Sequence, residues 1–68
     1  MIFKIEFEQE EDGRWLAEVL GMPGVLTYGR TKPEAIAKVQ ALALRVLTDR
    51  LEHGEAAPNL LSVSFAPA

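Results

Sequence analysis

Three sets of side chains in this 68-residue sequence are of types that do chemistry: the carboxylates of Glu6 and Glu18, the single imidazole of His53, and the hydroxyls of Ser62 and Ser64. Two carboxylates facing one another can hold a divalent cation or share acid–base work. No third carboxylate with suitable spacing accompanies Glu6 and Glu18, so they read more simply as part of a solvated face. Like charges directly opposite are mildly destabilising, and Lys4 or a basic partner would relieve them. His53 falls where a helix should end, and a protonated imidazole there interacts favourably with the helix dipole. The serines have no His or Asp at a spacing that would make a nucleophile–base–orienter set. Gly21-Met22-Pro23-Gly24 leads into a strand pattern rather than a helix, so it is not a phosphate-cradling loop. The chain has no cysteine, which excludes disulfides and thiolate chemistry, and with one His a structural zinc site is nearly excluded too. No catalytic residue, metal ligand or cofactor is assigned.

The elements that would position these groups are read from periodicity. Residues 2–9 alternate, with Phe3, Ile5 and Phe7 on one face and Lys4, Glu6 and Glu8 on the other, which predicts a half-buried strand. Residues 14–20 alternate again, with Trp15, Ala17 and Val19 opposed to Arg14, Leu16, Glu18 and Leu20. A three-residue loop with Gly13 left-handed closes the pair, Glu10 opposite Arg14. Phe7 then faces Ala17, Ile5 faces Val19 and Glu6 faces Glu18, so loop chemistry and hydrophobic pattern select one register. Trp15 lies near the tip on the core side, as a core anchor or at a partner-facing edge.

Residues 25–29 predict a short third strand. Thr31-Lys32-Pro33-Glu34 has capping-box spacing and predicts a helix from about Lys32 to Leu51–His53, stopped at Gly54. One apolar stripe of that helix holds Ile36, Val39, Ala43, Val46 and Leu47. A second holds Ala37, Ala41, Leu44, Thr48 and Leu51. Together they exceed the arc of about 100° that one sheet requires, so something else should cover the second. Residues 60–66 predict a last strand, with Leu61, Val63 and Phe65 on one face. The fold class is α+β: a two-layer sandwich in the order β-β-β-α-β, one helix on a four-stranded mixed sheet, with residues 1–68 as a single domain.

The hydrophobic content of 49% argues against disorder. The longest apolar run, Ala41 to Leu44, is far too short to span a membrane. The N-terminus is not a signal peptide, and a cytoplasmic location is expected. A net charge of −3, with basic residues spread singly, disfavours free nucleic acid as the main partner. Below roughly 70–80 residues a single core seldom supplies more than about 3–5 kcal/mol, and small domains add disulfides, metal or association. Association is the remaining route here, so a homodimer or higher homo-oligomer is expected.

Several short motifs occur in a telling order: Asp12-Gly13-x-Trp15, Met22-Pro23-Gly24, Tyr28-Gly29-x-Thr31-x-x-Glu34-Ala35, and Gly54-Glu55 with Pro58 after it. Over roughly residues 1–58 the chain resembles the HicB-like antitoxin family. The resemblance implies a partial ribonuclease-H-like fold with strand 4 beside strand 1. It implies structural roles for Asp12, Gly13, Trp15, Pro23, Gly24, Gly29, Thr31, Glu34 and Ala35. It also implies a non-enzymatic protein that binds and occludes a small HicA-type ribonuclease toxin. The sequence departs from the family pattern at Val25, where many relatives have Cys. It lacks the C-terminal DNA-binding segment that many members carry, so no direct DNA binding is expected. A basic toxin would be steered to an acidic surface. The partner-binding candidates are Glu6, Glu8, Glu10, Glu11, Asp12, Leu16, Glu18 and Leu20. The alternative is an orphan structural or regulatory module that only self-associates.

Overall fold

The computed structural model describes residues 1–55 and 62–68. Its elements are β1 (Ile2–Gln9), β2 (Trp15–Val19), β3 (Leu26–Gly29), α1 (Lys32–Glu52) and β4 (Ser64–Pro67). They form one four-stranded mixed sheet in the order β3-β2-β1-β4, with the helix on one face. β1 pairs antiparallel with β2 and parallel with β4, and β2 pairs antiparallel with β3. This is the α+β architecture expected from the periodicity.

The first hairpin has the expected register: Ile5 faces Val19, Glu6 faces Glu18 and Phe7 faces Ala17. Glu10 N–H donates to the Arg14 carbonyl at 2.7 Å, and Gly13, at φ +90°, donates to the Glu10 carbonyl at 2.9 Å. A left-handed residue at this loop position lets a type I turn join strands that twist to the right.

The second turn works differently. Gly21 and Gly24 both adopt positive φ, and Val19 N–H reaches across to the Val25 carbonyl at 3.0 Å. The curl turns Met22 and Val25 inward, and both are buried. Val25, expected in the third strand, closes the loop ahead of it.

Thr31, in extended conformation, accepts the Glu34 amide at 3.2 Å as the helix cap. Such a cap contributes about 1 kcal/mol. The reciprocal half of the capping box is replaced: the Glu34 carboxylate pairs with Lys38 Nζ at 3.0 Å instead. At the other end, Gly54 is left-handed, and the Glu55 amide donates to the Arg50 carbonyl while Gly54 donates to Leu51. This is a Schellman closure.

The core is aliphatic. Ile5, Ala17 and Val19 from the sheet meet Ala35, Val39, Ala43 and Leu47 from the helix, with Met22 and Val25 filling the end. The helix packs chiefly on β2 and β3. Its contact row is the i, i+4 series 35-39-43-47, so Ile36 and Val46 of the expected first stripe are only half-buried. In the expected second stripe Ala37, Leu44, Thr48 and Leu51 are exposed, and nothing among the described residues covers them. On the β1/β4 side Phe3 and Phe65 are half-buried, with ring centroids 5.9 Å apart.

β4 starts later than the periodicity of residues 60–66 implies. Pairing begins with Ser64 opposite Ile2, and Ser64 N–H donates to the Met1 carbonyl at 3.0 Å. Phe65 takes the core side opposite Phe3, as expected. Val63 is half-buried ahead of the strand, and Leu60 and Leu61 lie outside the described residues.

Candidate protein-binding face

The sheet face away from the helix is built by the even residues of β1 and β2 and by their register partners. Three rows cross it: Glu8, Leu16 and Tyr28; then Glu6, Glu18 and Leu26; then Lys4 beside Leu20, whose amide donates to the Lys4 carbonyl at 2.9 Å. Ile2 lies at the far end opposite Ser64. Glu6, Glu8, Leu16 and Glu18 line a shallow depression of about 300 Å³. Glu8 continues into a groove along the hairpin tip with Glu10, Glu11 and Asp12. The expected partner-binding residues therefore share one continuous surface, with Leu20 at its end remote from the tip.

Asp12 is the exception in role. Its carboxylate accepts the Arg14 amide at 3.1 Å through Oδ1 and Arg14 Nε at 2.7 Å through Oδ2. The backbone bond, followed by the side-chain bond, holds the Asp12 carboxyl below its ordinary value of 3.8. Asp12 is thus a clamp on the turn as well as part of the acidic surface. A depressed folded-state pKa contributes stability that is present above the unfolded value and lost as pH falls through the folded one. The Arg14 amide resonance should therefore shift on acidification with a midpoint below 3.8. In Asp12→Asn that transition should vanish, and its persistence there would assign it elsewhere.

Arg14, held to Asp12 by this clamp, also lays its guanidinium over the Tyr28 ring, 4.5 Å from the centroid. The face therefore has an acidic centre and, on the β3 side, an apolar and cationic margin of Leu26, Tyr28 and Arg14. The β2–β3 register places Leu26 and Tyr28, both within the predicted third strand, on this face. Ile2 was legible as an even residue of β1, but the strand pattern draws attention to its odd, aromatic side.

The remaining chemical candidates separate. His53 caps the helix, its Nδ1 lying 2.7 Å from the Asp49 carbonyl oxygen and 3.3 Å from the Asp49 carboxylate. Ser62 precedes β4 and its carbonyl accepts from the N-terminal ammonium at 2.6 Å, while Ser64 is exposed opposite Ile2. Among the described residues no three His, Cys, Asp or Glu side chains converge as a metal site, and no helix is long and apolar enough to cross a membrane.

Trp15 sits half-buried at the tip on the core side. Lys32 Nζ stands over Phe7 at 4.7 Å and over Trp15 at 5.7 Å. The ring thus joins the hairpin tip to the helix start, the anchoring position. The motif residues Gly29 and Ala35 also meet: a Cβ on Gly29 would lie 2.5 Å from the Ala35 nitrogen. No protein-family model, curated protein or solved structure matches this chain.

Proposed function

We propose that the domain is a non-catalytic protein-binding module whose open sheet face captures a small basic protein. A HicA-type ribonuclease toxin, neutralised by occlusion, is the partner implied by the HicB-like motifs. The observation that carries the reading is the placement of Glu6, Glu8 and Glu18 in adjacent register positions beside Leu16, Leu20, Leu26 and Tyr28. Apolar area supplies affinity at such a face, and the carboxylates supply steering and selection for positive charge. A partner that acts on RNA places the pair in the cytoplasm, and the acidic face leaves DNA to other proteins.

The test is co-expression with the small basic protein encoded beside this gene, followed by titration calorimetry at low and high salt. A complex is expected that weakens with salt. The triple substitution Glu6→Lys, Glu8→Lys, Glu18→Lys should weaken it by at least about 100-fold, since each close charge pair at an interface couples by roughly 1.5 kcal/mol or more. No complex at low salt would count against the reading.

The module also self-associates in this proposal. The helix favours this part of the reading, because its outward row of Ala37, Ala41, Leu44, Thr48 and Leu51 carries no charged residue to select a basic partner. Were self-association the whole function, the chain would be an orphan module, and no neighbouring basic protein would bind.

A further inference from the structure

The exposed large hydrophobic residues of the described chain fall into two groups: Met1, Ile2, Leu20, Leu26 and Tyr28 of the sheet layer, and Leu44 and Leu51 of the helix. The second group belongs to a seam. Ala37, Ala41, Leu44, Thr48 and Leu51 follow one another at steps of four, three, four and three residues. This is heptad spacing, which keeps side chains in line along a helix that packs on another helix. Leu44 and Leu51 are 49% and 56% exposed, so the seam is not the row that packs on the sheet. Thr48 donates its hydroxyl to the Leu44 carbonyl at 2.8 Å. Its polar atom is satisfied within the helix, and its methyl group can be covered without loss.

We infer that this seam is an isologous interface in which two copies of the chain pack their helices antiparallel. The inference rests on the self-association proposed above and adds the surface, the orientation and the register. Two features select a second copy as the occupant. The first is size. The seam is small at its start and large at its end, so it complements itself when reversed. Leu51 meets Ala41 of the other copy, and Leu44 meets Thr48 of the other copy, each leucine against a smaller residue. A parallel pair would stack leucine on leucine and alanine on alanine, leaving gaps at one end. The second is charge. Lys38, Arg45 and Glu52 flank the seam at successive heptad positions. In the antiparallel register Lys38 comes alongside Glu52 of the other copy, twice by symmetry. In a parallel pair those residues would flank one another at a distance. Lys38 already holds Glu34 of its own chain at an exposed 3.0 Å contact and can serve both. Arg45 approaches its own copy beside the two-fold axis, at the solvated rim where a like-charge contact costs little. A two-fold contact of this kind closes on itself and leaves both sheet faces free. A dimer would therefore offer two basic-protein sites pointing away from each other.

The chain has no cysteine, so single cysteines report the geometry directly. Ala41→Cys and Leu51→Cys are made separately, both at exposed or half-exposed positions, with circular dichroism to show that each folds. Under mild oxidation a mixture of the two should give a disulfide-linked dimer, while each variant alone should not. In the antiparallel register identical positions lie about ten residues, or roughly 15 Å, apart along the axis, beyond disulfide reach. Light scattering on the parent chain should give twice the monomer mass, and Leu44→Lys should reduce it to the monomer mass with the circular dichroism spectrum unchanged. Cross-linking of either variant with itself but not with the other overturns the antiparallel arrangement. A parent dimer that yields no cross-link and survives Leu44→Lys overturns the seam while leaving self-association standing. A parent chain that is monomeric overturns both.

Discussion

Gly29→Val should remove much of the stability of the domain. Gly29 ends β3 at the point where the chain turns into the helix, and it is buried. Any Cβ there would lie 2.5 Å from the Ala35 nitrogen, 2.9 Å from its Cα and 3.0 Å from the Glu34 carbonyl carbon. All three are backbone atoms of the first helical turn, so no side chain can swing aside. The helix would have to lift, breaking the bond from Thr27 Oγ1 to the Ala35 carbonyl at 3.2 Å and unseating Ala35 from the core. Overpacking of a close-packed site costs about 1–3 kcal/mol, occasionally more. A core this small supplies about 3–5 kcal/mol in all. Urea titration followed by circular dichroism checks it. Gly29→Ala should lower the midpoint clearly and Gly29→Val should lower it further. An unchanged midpoint for Gly29→Ala would mean that the β3–helix junction opens without cost.

The second large effect is at Val39, which is fully buried at the middle of the helix contact row. Val39→Ala removes two buried methyl groups, about 0.8 kcal/mol each, and leaves a cavity besides. Val39→Asp goes much further. The carboxylate would sit inside an aliphatic cluster that holds no charged residue. The effective penalty for such a charge is several kcal/mol, comparable to the whole stability. The variant should therefore be unfolded at neutral pH. Burial raises the folded-state pKa of that carboxyl above its unfolded value of about 3.9. The charge penalty is then absent below the unfolded pKa and grows as pH rises toward the folded one. Helical signal should accordingly return on acidification, relative to the parent at the same pH. A Val39→Asp chain that melts like the parent at neutral pH would show that this row does not face the sheet.

The first effect comes from a glycine that hydropathy alone ranks low, the second from a valine already in the expected apolar stripe. The hairpin register was legible because two independent signals coincide: Gly13 sets the loop, and the odd residues of both strands are apolar. The helix limits were legible for a similar reason, with Thr31 at one end and Gly54 at the other. The contact row was less visible. Val39, Ala43 and Leu47 of the expected stripe are in it, but Ala35, which serves close approach rather than hydrophobic area, is absent from that stripe, where Ile36 and Val46 stand although they are only half-buried. Met22 and Val25 escaped because two left-handed glycines redirect a segment that reads as a plain turn. The start of β4 escaped because alternation over residues 60–66 has no marker for where pairing begins. That marker is the Met1 carbonyl, at the opposite end of the sequence.

The candidate face divides in the same way. Glu6, Glu8, Leu16 and Glu18 follow from one hairpin, and alternation within that hairpin is enough to group them. Leu26 and Tyr28 need the β2–β3 register, and Arg14 needs the Asp12 clamp. Asp12 itself looked like one more acid in a run of three. Only its position two residues before Arg14, on a turn, distinguishes it from Glu10 and Glu11.

The place of β1 in the middle of the sheet has a consequence for how the chain leaves the ribosome. β1 emerges just before β2 and finds it almost at once, while its other edge must wait for Ser64–Pro67. Until then that edge shows unpaired amides and carbonyls alongside Phe3, and an unpaired strand edge invites association with other chains. Lys4, which breaks the apolar run between Phe3 and Ile5, serves there as a gatekeeper during synthesis.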